Sequence, residues 1–197
     1  MADHAIPLSD KGKEHSSLVG EVLSKHFQDR YGEKGVEKVR MWTSPYVRTR
    51  ETGDRIAAAL DGWLLDRREH ILLCEQQFGL FNGVPDDQLP DRFPEEYALY
   101  SKQVRFAGKF WARLPMGESR FDVATRVHQA FGTFHRDALR HGIKDIIVVS
   151  HGVTIRAFLM MWCHLSPEWF EGEANPRNCA IRLIQDGEDR GYLFEGF

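Results

Sequence analysis

The sequence predicts an α/β fold of three layers, a largely parallel sheet with helices on both faces, and three observations predict it. Helical and extended patterns alternate along the chain, the arrangement that builds a parallel sheet between helix layers. The run Ile146 to Ser150, IIVVS, is short, apolar and β-branched, as in a strand buried on both faces. Two extended segments also run directly into polar helix starts, at Thr43-Ser44-Pro45 and at Ser150-His151-Gly152. In such sheets ligands bind beyond the carboxyl ends of the strands.

The elements follow in order. Leu18, Val19, Val22, Leu23 and Phe27 recur at helical spacing after Ser9, and Gly32 and Gly35 act as stops, which predicts a helix over 9–31. In VEKVRMW, Val36, Val39 and Met41 only partly alternate, yet the segment reads as a strand ending at Thr43. Ser44 is a good N-cap and Pro45 suits a first helical position, so the next helix is predicted to start there and to run through Val47, Ile56 and Leu60. Residues 79–94, GLFNGVPDDQLPDRFP, are dense in Gly, Pro and Asp and read as a long loop of the kind that covers sites. Helices are then predicted over 94–114 and from Ser119 to a stop at His141-Gly142, with Val123, Val127, Phe131 and Phe134 on one face. After the IIVVS strand a helix should reach about Leu165, and NCAIRLIQDGEDRGYLFEGF reads as two strands about a turn.

Composition excludes several classes. The 197 residues carry 26 Lys plus Arg against 29 Asp plus Glu, a net charge of -3 that draws neither nucleic acid nor an anionic membrane. Apolar residues at 42% exclude a disordered chain. Cys74, Cys163 and Cys179 stand apart without a C-x-x-C, so neither a disulfide framework nor a zinc site is expected, and a reducing, cytoplasmic location is. No uncharged stretch approaches the ~18 residues that span a bilayer. Neither repeats nor a linker mark a boundary, so residues 1–197 are expected to form one domain.

The two helix starts suit an anion, because the first N–H groups of a helix lack partners within it. Arg48, one turn into its helix, can offer a planar fork to a phosphate, and His151 stands at a strand end where its imidazole can donate to the same group. Glu75, between an apolar run and the long loop, can have a raised pKa and serve as a general acid. Each residue also has a plainer reading: Arg48 amid Arg50, Asp54 and Arg55 as a solvated charge, His151 as a satisfied histidine, Glu75 as an exposed acid. His128, His135 and His141 are spaced by seven and six, which is not the i, i+4 geometry of a helical metal pair, and no metal is expected.

Taken together, the motifs resemble the histidine phosphatase superfamily, in the branch similar to cofactor-dependent phosphoglycerate mutases and broad-range acid phosphatases. The matching pieces are Ile6-Pro7-Leu8-Ser9 with Gly12, Thr43-Ser44-Pro45 with Arg48 and Thr52, Glu75 with Phe78-Gly79, Gly117-Glu118-Ser119, and Val149-Ser150-His151-Gly152 with Arg156. The resemblance implies a phosphoglycerate mutase-like fold and phosphomonoester hydrolysis through a phosphohistidine, without metal or other cofactor. It implies that Arg48 clamps the phosphoryl group, that Glu75 protonates the leaving oxygen, and that His151 is the second histidine, with Gly152 beginning the helix that faces the phosphoryl oxygens. The family's nucleophile lies in an Arg-His-Gly triplet, which these residues do not contain, and the apolar strand leading into it is also missing. That segment is expected upstream of Met1, and the 197 residues alone are expected to be inactive. A phosphoglycerate mutase-type transfer and a non-catalytic phosphate-binding protein are the alternatives. The expected partners are a small phosphorylated substrate and, through the vacated sheet position, a second copy of the chain, with no nucleic acid or membrane.

Overall fold

Ser9 caps α1 (Asp10–Tyr31), its hydroxyl oxygen accepting from the Gly12 N–H at 3.1 Å, so the helix predicted over 9–31 forms. The computed structural model describes residues 1–32 and 38–197. Gly35 and Val36, read as a helix stop and a strand start, lie outside the described residues. The chain divides into two units: Met1–Cys74, Gln129–His151 and Pro176–Phe197 form the first, Glu75–His128 and Gly152–Asn175 the second.

In the first unit β1 (Val39–Thr43), β2 (Leu64–Glu69) and β3 (Asp145–Val149) form a parallel sheet in the order β2-β1-β3. Thr43 is in register with Glu69 and with Val149, so the three strands end in one row. Successive β1 residues face opposite sides. Val39 and Met41 pack with Val19, Leu23 and Phe27 of α1 and with Ile56 of α2 (Val47–Ala59). Trp42 turns the other way, its ring 5.4 Å from that of Phe134 on α5 (Arg120–His141). Helices therefore cover both faces of a parallel sheet, the predicted class.

Arg40 lies on the α5 side of β1 with no exposure at all. A buried guanidinium needs counter-charges. Asp66 and Asp137 supply them, Asp137 with its carboxylate 2.9 Å from Arg40 Nε, and Arg68 holds the other oxygen of Asp137 at 2.8 Å. The remaining strands, β4 (Ile181–Gln185) and β5 (Glu188–Phe194), form a separate antiparallel hairpin, as predicted, and lay Ile181 and Phe194 on the core shared by α1 and α2.

Several expectations change. β3 is half-buried except at Val149, not buried on both faces, because among the described residues it pairs with β1 alone. β2 was not expected: its run Asp66-Arg67-Arg68-Glu69 has low strand propensity. Pairing with β1 forms it, and ion pairs accommodate its charges, Arg50 to Glu69 at 2.7 Å and Arg67 to Asp54 at 2.6 Å. Ser44 is not the N-cap of the second helix and Pro45 is not its first residue; Tyr46 is the N-cap, with no side-chain capping bond. The Ser44 hydroxyl is engaged with His151 instead.

In the second unit the segment read as an irregular loop over 79–94 contains short helical turns, Gly79–Phe81, Asp86–Gln88 and α3 (Leu89–Arg92), with Phe81 and Leu89 buried as anchors. α4 (Pro94–Ala107) stops well short of residue 114, because Gly108 takes φ +89°, a conformation that ends a helix and that glycine adopts freely. Ser119 and Asp122 bond reciprocally at the start of α5, each side chain accepting from the other's N–H, at 3.1 and 2.8 Å. α6 (Gly152–Trp162) ends before Leu165, and Ser166 caps the unanticipated α7 (Pro167–Gly172). Among the described residues no helix is long and apolar enough to cross a membrane.

Candidate functional site

The carboxyl ends of the strands in the first unit gather the polar residues. Ser44 follows β1 and His151 follows β3, and the Ser44 hydroxyl lies 2.8 Å from His151 Nε2. Both are buried. This bond fixes the plane of the imidazole. Tyr46, buried at the start of α2, presents its ring to both site side chains: the His151 ring is 4.9 Å away and edge-on, and the Arg48 guanidinium carbon lies 4.9 Å from the ring centre. Arg48 and His151, distant in sequence, thus share one aromatic neighbour. The Thr49 hydroxyl bonds back to the Ser44 carbonyl at 2.9 Å and holds the junction that carries them.

A further contact was not foreseen. The first residues form a short turn, Asp3–Ala5, and Asp3 pairs with Arg48 through both carboxylate oxygens, at 3.1 and 3.3 Å. His4, beside it, sets its ring edge-on to Tyr46 at 6.3 Å.

In the second unit Glu75 sits against the start of α6. Its carboxylate accepts from the Gln76 N–H at 2.9 Å and from the Thr154 hydroxyl at 3.3 Å, and also from the N–H groups of Val153 and Thr154. Burial raises its pKa above the ordinary 4.5, against the opposing pull of those bonds. The α6 start read as facing a ligand therefore holds Glu75 with two of its N–H groups. Gly152, its first residue, lies under the Asn175 carboxamide, where a Cβ would stand 3.1 Å from Oδ1.

The main chain of Glu75 is held as well. Arg126 donates to its carbonyl at 3.1 Å and grips Glu118 through both carboxylate oxygens, at 2.9 and 3.1 Å. Glu118 in turn accepts from the Gln77 N–H at 2.9 Å. Gly79 and Gly117 let these strands of chain touch, since a Cβ on Gly117 would collide with the Gln77 carbonyl and one on Gly79 with that of Pro115. The motifs Glu75-x-x-Phe78-Gly79 and Gly117-Glu118-Ser119 are thus two sides of one contact.

Sequence reasoning singled out Arg48, Glu75, His151 and Gly152, and missed Tyr46, Ser44 as a partner of His151, and Arg126. Only the aromatic directly before Val47-Arg48 carried a signal for the first. Among the described residues no group of three or more His, Cys, Asp or Glu is placed to hold a metal ion.

Comparison with known proteins gives a consistent result. The family described as histidine phosphatase superfamily (branch 1) matches residues 2–194. The chain is 33% identical over 199 residues to the phosphoglycerate mutase-like protein AT74 of Arabidopsis thaliana, a match covering 96% of this chain but 59% of that protein, so it spans under two thirds of that relative's length. It is 34% identical over 115 residues to the broad-range acid phosphatase DET1 of Saccharomyces cerevisiae, which covers 56% of this chain and 31% of that one. A mycobacterial glucosyl-3-phosphoglycerate phosphatase, solved with inorganic phosphate, superposes with a TM-score of 0.67 at 20% identity, covering 89% of this chain and 78% of that one. That last likeness is one of fold.

Proposed function

Since the chain belongs to the histidine phosphatase superfamily, branch 1, we propose that it acts on a small phosphomonoester, with hydrolysis through a phosphohistidine as the complete reaction. The observation that carries this is the pair Arg48 and His151 set around Tyr46 at the ends of the parallel strands. Arg48 takes two oxygens of the phosphoryl group in its fork, and His151, oriented by Ser44, adds a second polar group for the charge those oxygens carry. Gly152 belongs to the same binding segment as the residue that follows His151.

Glu75 is assigned the proton. A carboxyl raised by burial remains protonated further towards neutral pH and can give its proton to the departing alkoxide as the phosphorus–oxygen bond breaks, then take one from the water that attacks the phosphohistidine. This assignment rests on the surroundings of Glu75 itself and on the family. No residue of these 197 is assigned as nucleophile, because they contain no Arg-His-Gly triplet. On their own they are proposed to bind a phosphoryl group without turning it over.

Hydrolysis is preferred to mutase transfer on the name of the yeast relative, a broad-range acid phosphatase. The cytoplasm is the proposed location, on the spacing of the three cysteines, which frames no disulfide pattern. The test is a pair of assays on the 197-residue chain. Binding of inorganic phosphate or vanadate without hydrolysis of p-nitrophenyl phosphate is expected. Rapid hydrolysis would contradict the inactivity, and no anion binding would contradict the site.

A further inference from the structure

The fork of Arg48 is already occupied by a carboxylate of its own chain. Nη1 donates to Asp3 Oδ1 at 3.1 Å and to the Asp3 carbonyl oxygen at 2.8 Å, and Nη2 donates to Oδ2 at 3.3 Å. One oxygen on each arm is the geometry in which a guanidinium takes two phosphoryl oxygens. Asp3 therefore stands where such a ligand would bind.

The tether is slight. Asp3 opens a turn of three residues with no buried side chain and no side-chain cap. The side chains of Arg48 and Asp3 remain 25% and 29% exposed, so water and ions reach the pair. Such a pair is weak enough to be exchanged, unlike the one that Arg40 makes with Asp137 in the core.

Building on the reading that Arg48 binds a phosphoryl group, we propose that Asp3 is an internal competitor for that site. Its carboxylate holds the fork in the absence of ligand, and a phosphoryl group binds by displacing it, with the turn moving aside and no covalent bond changed. Every anion that enters must break the same Asp3–Arg48 pair, so its cost is the same factor for a singly and a doubly charged ligand. A carboxylate that merely stood nearby would act differently, since through-space repulsion weakens a dianion more than a monoanion. One that served to orient Arg48 would strengthen both.

Calorimetric titration separates these cases. The probes are phenyl phosphate, a dianion at pH 8, and phenyl sulfate, a monoanion of nearly the same shape. Asp3→Asn and Asp3→Ala are each expected to tighten both ligands by one common factor of about fivefold, the scale of an exposed ion pair. In an Arg48→Ala background the same changes should have no effect. Unchanged or weakened binding in both Asp3 variants overturns the proposal, as does tightening confined to the phosphate. If Arg48→Ala alone binds phenyl phosphate as tightly as the parent chain, the reading of Arg48 fails instead, so the two failures are told apart.

Discussion

Two arginines on consecutive elements of the first unit are neutralised in opposite ways. Arg40, on β1, is wholly buried and held between Asp66 and Asp137, and Asp137 is itself shared with Arg68. Arg48, at the start of α2, is a quarter exposed, leans on an aromatic ring, and pairs with a carboxylate from a short turn. The first arrangement cannot exchange partners without leaving a charge stranded in the core; the second can. The second unit repeats the contrast with glutamates. Glu118 is neutralised by Arg126 through both oxygens, whereas Glu75 is held by N–H and hydroxyl groups and its pKa is raised by burial. In each unit one charge supports the framework and the other is left able to change its state, by ligand or by proton.

The largest effect should come from the framework charges. Asp137→Ala leaves the buried Arg40 with Asp66 as its one counter-charge, takes a partner from Arg68 as well, and is expected to lower stability by about 3 kcal/mol, read from urea unfolding. A loss under about 1 kcal/mol would mean that Arg40 is not the buried charge described here. Gly117→Ala should follow, at about 1–3 kcal/mol, because the added methyl meets the Gln77 carbonyl. An unchanged melting temperature would show that the contact between the two glycine motifs yields freely.

Arg48→Ala belongs at the other end of the stability scale, with a change below about 1 kcal/mol. Its expected effect is on ligand, a loss of roughly tenfold or more in phosphate affinity, because a hydrogen bond to a charged group contributes about 1.5–3 kcal/mol. Equal losses of stability in Arg48→Ala and Asp137→Ala would erase the distinction between the two arginines.

The smallest effect concerns Glu75, and its sign is fixed by linkage. A carboxyl whose folded pKa is raised binds its proton more tightly when folded, so its contribution favours folding at low pH and is lost as pH rises from the ordinary 4.5 through the folded value. Glu75→Gln should therefore stabilise the chain at neutral pH relative to pH 4, seen as a flatter pH profile of melting temperature. A steeper decline with rising pH in the variant would contradict the assignment.

Much of this was legible in the sequence, and what was not has local causes. The helices announced themselves where apolar residues recur beside a clear cap, as with Ser9 and α1 or Ser119 and α5. β2 was hidden because four of its six residues are charged, and their partners, Asp54, Arg50, Arg40 and Asp137, come from other elements. Gly108 marked the end of α4, but the polar and apolar residues beyond it continued the helical pattern. Among the site residues Arg48, Glu75 and His151 stood out by type and setting. Tyr46 did not, since an aromatic before a helix reads as ordinary packing, and only folding shows that its ring meets both Arg48 and His151. Nor could the pairing of Asp3 with Arg48 be read from a chain in which they are separated by the whole of α1 and β1.

The central claim is that Arg48 and His151 hold one and the same anion. Side-chain nuclear magnetic resonance tests it most directly, by following the Arg48 Nε–Hε and His151 imidazole signals of the 197-residue chain as inorganic phosphate is added. Both sets of signals should move together, described by a single dissociation constant, and both responses should vanish in Tyr46→Leu, where the shared ring is gone. Signals that stay still, or that move with separate constants, would contradict the account.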